Sequence, residues 1–170
     1  MSNPLRKIIL WVLPAALVLA VPGFAQAPGA VDLQVVFVEG GTAIDFGDLR
    51  SLDQNGDPSN DVEISQVRLI VTSTAGQSYI VTQTVNGDTV NQSGASLPPD
   101  AIRFRVQIEN GGGLVRTPDM SPLGVGAQEI YFSDSLGQDA SLLITYEIRV
   151  PGGQRAGRYY NTVNYRVDVR

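Results

Sequence analysis

The stretch LLITYEIRVPGGQRAGRYYNTVNYRVDV, from Leu142 to Val169, decides the fold class. Apolar and polar residues alternate on both sides of Pro151-Gly152-Gly153. Alternation with a period of two is typical of strands with one buried and one solvated face. We therefore predict two strands here. Their expected core residues include Tyr146, Ile148, Tyr159, Val163, Tyr165 and Val167.

The same alternation recurs along the chain, and helical periodicity is absent after the first 25 residues. Further strands are predicted at Val31–Val38, Val62–Thr72, Gln77–Val85 and Ile102–Glu109, with short pieces near Ala43–Phe46 and Glu129–Phe132. A phase shift between Ile64 and Val67 predicts a bulge near Ser65-Gln66. Many short strands without helices favour an all-β fold, an antiparallel immunoglobulin-like β-sandwich of about seven or eight strands. We expect one domain over residues 26–170.

The first 25 residues have the pattern of a secretory signal peptide. Arg6 and Lys7 precede an apolar run from Ile8 to Val21, which is broken only by Pro14. Cleavage after Ala25 is favoured, because a cut after Ala27 would leave proline at the scissile bond. The alternative is an uncleaved anchor, but about 14 apolar residues fall short of the roughly 20 that span a bilayer. Residues 1–25 are thus a predicted leader, and the remainder is exported without membrane insertion.

The composition after this leader argues against catalysis. His, Cys, Lys and Trp are all absent from residues 26–170, so a serine nucleophile would lack its usual base. The formal charge of −5 becomes −7 once Arg6 and Lys7 are removed, which disfavours nucleic acid and anionic lipid as partners. Without cysteine no disulfide can form. We predict a protein that is not an enzyme and has no cofactor.

One loop resembles a metal site in composition. Asp53, Asn55, Asp57 and Asp61 supply oxygens at or near alternate positions, as calcium loops do. The sixth position of an EF-hand loop is Gly but here is Pro58, and the twelfth is Glu but here is Ile64. The alternative is an acidic loop rich in turn-forming residues. We favour the loop without a metal and therefore expect no metal site. These four residues are the candidate calcium ligands.

Two blocks resemble spore coat protein U-like domains, a family that includes subunits of archaic chaperone–usher pili. Ile44-Asp45-Phe46-Gly47-Asp48-Leu49 is similar to an early "FG" segment of that family. The second block, Tyr146–Gln154 with Ala156-Gly157-Arg158-Tyr159 and Thr162-Val163, is similar to its closing hairpin. The resemblance covers about a quarter of the chain. Many such pilins carry a disulfide near the first strand, which this chain cannot form.

The resemblance implies an incomplete sandwich that is completed by a neighbour's N-terminal extension through β-augmentation. Residues 26–38 are the candidate donor segment, with Val31, Leu33, Val35 and Phe37 as its apolar side chains. Four fully buried side chains would supply about 6–12 kcal/mol as an upper estimate. In the alternative, this strand completes its own domain.

The function implied by the resemblance is that of a structural subunit of a bacterial surface filament or coat. The implied partners are copies of itself, a periplasmic chaperone and an outer-membrane usher. The chain would then pass from the periplasm to the surface of a Gram-negative-type bacterium. The alternative function is a self-complete exported adhesin module that recognises carbohydrate or a surface protein.

Overall fold

The computed structural model describes residues 6–14, 30–49, 62–74 and 76–170. Within these ranges the chain forms strands and no helix, which confirms the all-β sandwich. The described residues form twelve strands, more than the seven or eight expected. They are β1 (Arg6–Pro14), β2 (Val31–Phe37), β3 (Ala43–Leu49), β4 (Val62–Ser73), β5 (Tyr79–Val85), β6 (Val90–Asn91), β7 (Ile102–Asn110), β8 (Gly113–Val115), β9 (Ser121–Pro122), β10 (Gly126–Ser133), β11 (Ala140–Arg149) and β12 (Tyr159–Val169).

The strands form two sheets. The seven-stranded sheet has the order β3-β1-β12-β5-β10-β8, with β6 also paired to β12. The five-stranded sheet has the order β2-β4-β11-β7-β9. All pairs are antiparallel except β1 with β12. From β2 onward, nearly every strand lies in the opposite sheet from the strand before it, so most connections cross the sandwich.

The core lies between the sheets and has the alternation expected from the sequence. Tyr146, Ile148, Tyr159 and Tyr165 are at most 1% exposed, and so is Val163. Val167 is partly buried and packs against the same core. The residues predicted to be inward in the two last long strands are therefore confirmed.

The expected closing hairpin is wrong. β11 pairs with β4 and β7 in one sheet, whereas β12 pairs with β1, β5 and β6 in the other. The connection 150–158 is long enough to cross between sheets that pack about 10 Å apart. Each strand thereby turns its apolar face toward the other across the core, which buries both faces at once.

The predicted bulge near Ser65-Gln66 is also wrong, because β4 pairs with β11 from Val62 to Val71 without a register shift. Ser65 is 5% exposed and lies in phase with the buried positions that follow, whereas Ile64 is 56% exposed. The Ser65 hydroxyl donates to the Glu39 carboxylate at 3.1 Å. This bond allows a polar residue to occupy an inward position.

Candidate strand-acceptor groove

Residues 6–14, which lie in the predicted leader, form a strand in the interior of a sheet. β1 pairs in parallel with β12 from Ile8↔Tyr159 to Pro14↔Tyr165. On its other side it pairs antiparallel with β3 from Arg6↔Leu49 to Trp11↔Ala43. Within the described residues β3 has no other strand partner. Among the described residues, the groove between β3 and β12, which we call the acceptor groove, is thus filled only by β1, a part of the predicted leader.

The walls of the acceptor groove are apolar strands anchored in the core. β3 contributes Ile44, Phe46 and Leu49, which are at most 4% exposed with β1 in place. β12 contributes Tyr159 and Val163, which are at most 1% exposed. The seven paired residues of β12 extend over about 20 Å at 3.3 Å per residue. Without β1, one edge of β12 and the facing edge of β3 would each present a row of unpaired backbone groups.

The FG segment shapes one wall. Two intervals of β1, from Lys7 to Ile9, are opposite three intervals of β3, from Asp48 to Asp45, so β3 carries a bulge. Gly47 lies in this bulge with φ of +67°. Its N–H donates to the Asp45 carboxylate at 2.8 Å. The glycine is explained by this left-handed conformation, which side chains disfavour.

We expect Gly47→Ala to lower the free energy of unfolding of the full chain by about 1–2 kcal/mol, the cost of a left-handed L-residue. No atom lies within 4 Å of a Cβ built at this position, so the cost arises from the backbone alone. Gly47→Asn is the matched control, because asparagine tolerates this conformation better. Urea denaturation measures both. Equal losses for the two variants would contradict the backbone explanation.

The connection before β12 is held by side chains of the second resembling block. The Gln154 amide donates to the Ser96 carbonyl at 2.9 Å and to the Tyr159 hydroxyl at 2.6 Å. That hydroxyl donates to the Arg155 carbonyl at 2.8 Å. Hydrogen bonds of Gln154 therefore connect the end of the Pro-Gly-Gly-Gln motif to Tyr159, the first residue of β12. They fix where β12 enters the sheet.

Below the groove, the two sheets are joined by buried hydroxyls. Tyr146 donates to the Gln83 side-chain oxygen at 2.5 Å, and its hydroxyl also bonds the Tyr165 hydroxyl. Gln83, Tyr146 and Tyr165 are at most 1% exposed. Burial raises the pKa of both phenols above the ordinary value of 10. These tyrosines pack in the core and offer no surface for stacking against a sugar.

Stability should fall as the pH rises above about 10. An unfolded tyrosine releases its proton near this pH, whereas Tyr165 keeps its own in the fold. The contribution of Tyr165 to the free energy of unfolding is therefore complete below pH 10. It is lost above that pH, by up to about 1.4 kcal/mol per pH unit. Tyr165→Phe should make the decline shallower in pH-dependent urea denaturation. Some slope will remain, because burial also raises the pKa values of Tyr146, Tyr79 and Tyr131. An unchanged slope would contradict the prediction.

The candidate donor segment belongs to its own domain in this structure. β2 pairs antiparallel with β4 from Val31↔Ser73 to Phe37↔Val67. Val31, Leu33, Val35 and Phe37 are partly buried against the core. This is the alternative that the sequence left open. The physical reason is that the long strand β4 offers a matched edge within the same chain, where pairing costs less entropy than association.

The candidate calcium ligands lie outside the described residues: Asp53, Asn55, Asp57 and Asp61. Among the residues that are described, no group of three or more Asp, Glu, His or Cys side chains is arranged to hold a metal ion. No helix in these ranges is long and apolar enough to cross a membrane.

Sequence reasoning missed the groove itself. Ile8–Leu13 is a continuous apolar run, and such a run does not distinguish a buried strand from a signal segment by periodicity. The signal that could have located one wall is the Asp-Phe-Gly-Asp sequence of β3, in which a glycine interrupts a strand pattern and indicates a bulge.

Comparisons with known proteins assign the chain to no family. No family model matches the chain, and no curated protein matches it. A solved family 123 glycoside hydrolase from Clostridium perfringens, described in a study of glycolipid glycan hydrolysis, is similar over 64% of this chain with 19% identity and a TM-score of 0.36. The matched region spans 19% of that protein. A match of this extent does not establish an activity for the chain.

Proposed function

We propose that the chain is a structural subunit of an exported surface filament or coat and is assembled by strand donation into the acceptor groove. The observation that carries the proposal is that β3 and β12 are bridged only by Arg6–Pro14 within the described residues. A leader that is cleaved after Ala25 would take this strand away. The mature domain would then need a strand from another molecule.

The chemistry of the groove defines the donor. It must be an extended segment with an N–H and a C=O available on both edges, since both walls offer backbone pairing. It must also be apolar, as Ile8–Leu13 is. A neighbouring subunit would supply it in the filament. We do not assign this role to Val31–Phe37, because β2 is a strand of its own sheet.

Further partners follow from the resemblance to chaperone–usher subunits. A periplasmic chaperone would cover the groove before assembly, and an outer-membrane usher would receive the complex. An open edge of this length is an aggregation hazard, which supports the need for such a cover.

The test is assembly of the protein recovered from the periplasm, with its N-terminus determined. If a strand is donated, multimers should resist SDS without heating and dissociate on heating. Added peptide of residues 6–14 should compete for the groove and remove the SDS-resistant multimers. A mature chain that begins near Gln26 and runs as a monomer without added peptide would overturn the proposal.

One observation favours the second candidate function, a self-complete exported binding module. β2 completes the five-stranded sheet from within the chain. In that case the mature chain would form no SDS-resistant multimers and would unfold cooperatively without any donor.

A further inference from the structure

The outer edge of β2 differs from the other sheet edges in the described part of the chain. At the opposite end of the same sheet, β9 has only two residues and ends in Pro122, which cannot donate. In the other sheet, β8 has three residues and begins with a glycine, and β3 carries a bulge and two aspartates. Bulges, charges, proline and short length all discourage edge-to-edge pairing. β2 has seven residues, a single charge and no proline.

The backbone groups on this edge can be assigned from the ladder with β4. Thr74 donates to the Ala30 carbonyl at 2.9 Å, and Val38 donates to the Gln66 carbonyl at 3.1 Å. Antiparallel strands alternate, so the even-numbered residues of β2 bond β4 and the odd-numbered ones point outward. Val31, Leu33 and Val35 therefore direct their N–H and C=O groups away from β4. No described residue pairs with this edge.

We propose that β2 pairs with β2 of a second copy, antiparallel about a two-fold axis centred on Leu33. This register pairs Leu33 with its own counterpart, and Val31 with Val35 of the second copy. All three outward residues on each strand then form hydrogen-bonded pairs. The partly buried side chains of these residues become more buried, and the two five-stranded sheets join into one.

Neighbouring registers are worse for reasons in the structure. A register centred on Gln34 would leave its two end pairs, Val31 with Phe37, incomplete, because the Phe37 carbonyl already accepts from the Gly40 N–H at 3.1 Å. A register centred on Asp32 would place two aspartates directly opposite each other, which is destabilising. In the Leu33 register, Asp32 instead faces Gln34 of the second copy. Both side chains are exposed, so neither needs to move to allow pairing.

Disulfide trapping tests the register, since the chain has no cysteine of its own. Residues 32 and 34 would form non-hydrogen-bonded pairs, with Cα atoms about 4.5 Å apart, which is within disulfide reach. The exported double variant Asp32→Cys/Gln34→Cys should form a covalent dimer under mild oxidation, whereas neither single variant should. No dimer from the double variant, or a dimer from Gln34→Cys alone, would overturn the proposal.

Charge variants test the same contact without a covalent bond. Gln34→Glu would place a second negative charge opposite Asp32 of the other copy, at two symmetric positions in the dimer. This repulsion should weaken association about two- to thirtyfold in sedimentation equilibrium. Asp32→Lys/Gln34→Glu restores opposite charges and should recover it. Unchanged association in both would overturn the proposal. The proposal does not depend on the acceptor groove, because groove-driven assembly leaves residues 32 and 34 of different copies apart and responds to neither set of variants.

Discussion

Residues 26–170 alone should be less stable than the full chain by several kcal/mol. Removal of β1 breaks the pairing of both β3 and β12. A nine-residue strand has four or five side chains on each face, and burial of three or four apolar ones would supply about 5–12 kcal/mol as an upper estimate. This approaches the total stability of an ordinary domain, about 5–15 kcal/mol. Urea denaturation of both chains, each with its leader status verified by mass, measures the difference.

The lost stability should return when the strand is supplied in trans. A peptide of residues 6–14 at a hundredfold excess over its Kd should restore about 2.7 kcal/mol. The control is the same peptide with Ile8→Pro, Leu10→Pro and Val12→Pro, because proline lacks the N–H that the walls require. Equal stability of the two chains, or equal rescue by both peptides, would show that the groove is not a strand acceptor.

The strands were predictable because alternation is a local property. Tyr146 and Tyr165 each lie in a stretch where every second residue is apolar, and both are buried as the pattern predicts. A period of two shows which face of a strand is inward. It does not show which strand lies beside it.

The errors in the sequence analysis have this origin. The connection after Val150 has turn residues whether it closes a hairpin or crosses to the other sheet, so the hairpin between β11 and β12 could not be excluded. The bulge near Ser65-Gln66 was predicted because Ile64 was counted among the inward residues, yet Ile64 is exposed and Ser65 takes the inward position, where it bonds the distant Glu39 carboxylate. β2 could be recognised as a strand, but its partners in β4 lie 30 to 42 residues further along the chain.

The acceptor groove was the least predictable feature. Its walls come from β3 and β12, which are more than 100 residues apart. The strand that fills the groove, β1, lies in the apolar segment that the sequence identifies as a signal peptide. Both assignments can hold for Ile8–Leu13, since an apolar extended segment suits a signal sequence as well as a strand position between two others.

The second large effect is expected at the FG segment. Phe46 is 4% exposed in the core, and Phe46→Ala should cost about 3–5 kcal/mol in the full chain. The matched control is Phe104→Ala, which removes a ring that is also buried, 0% exposed, from β7 in the other sheet. Both variants should lose comparable stability in urea denaturation.

The two variants should differ in their affinity for the peptide of residues 6–14, measured with residues 26–170 under conditions where each remains folded. β3 has no described strand partner other than β1, so without the leader it is held by the packing of Ile44, Phe46 and Leu49. Loss of the Phe46 ring therefore loosens one wall, and peptide affinity should fall at least tenfold. Phe104 lies in β7, which pairs with β11 and β9 and with neither wall strand. The Phe104 variant should therefore bind the peptide with nearly the affinity of the parent. Equal affinities for the two variants would mean that β3 does not take part in holding the donated strand.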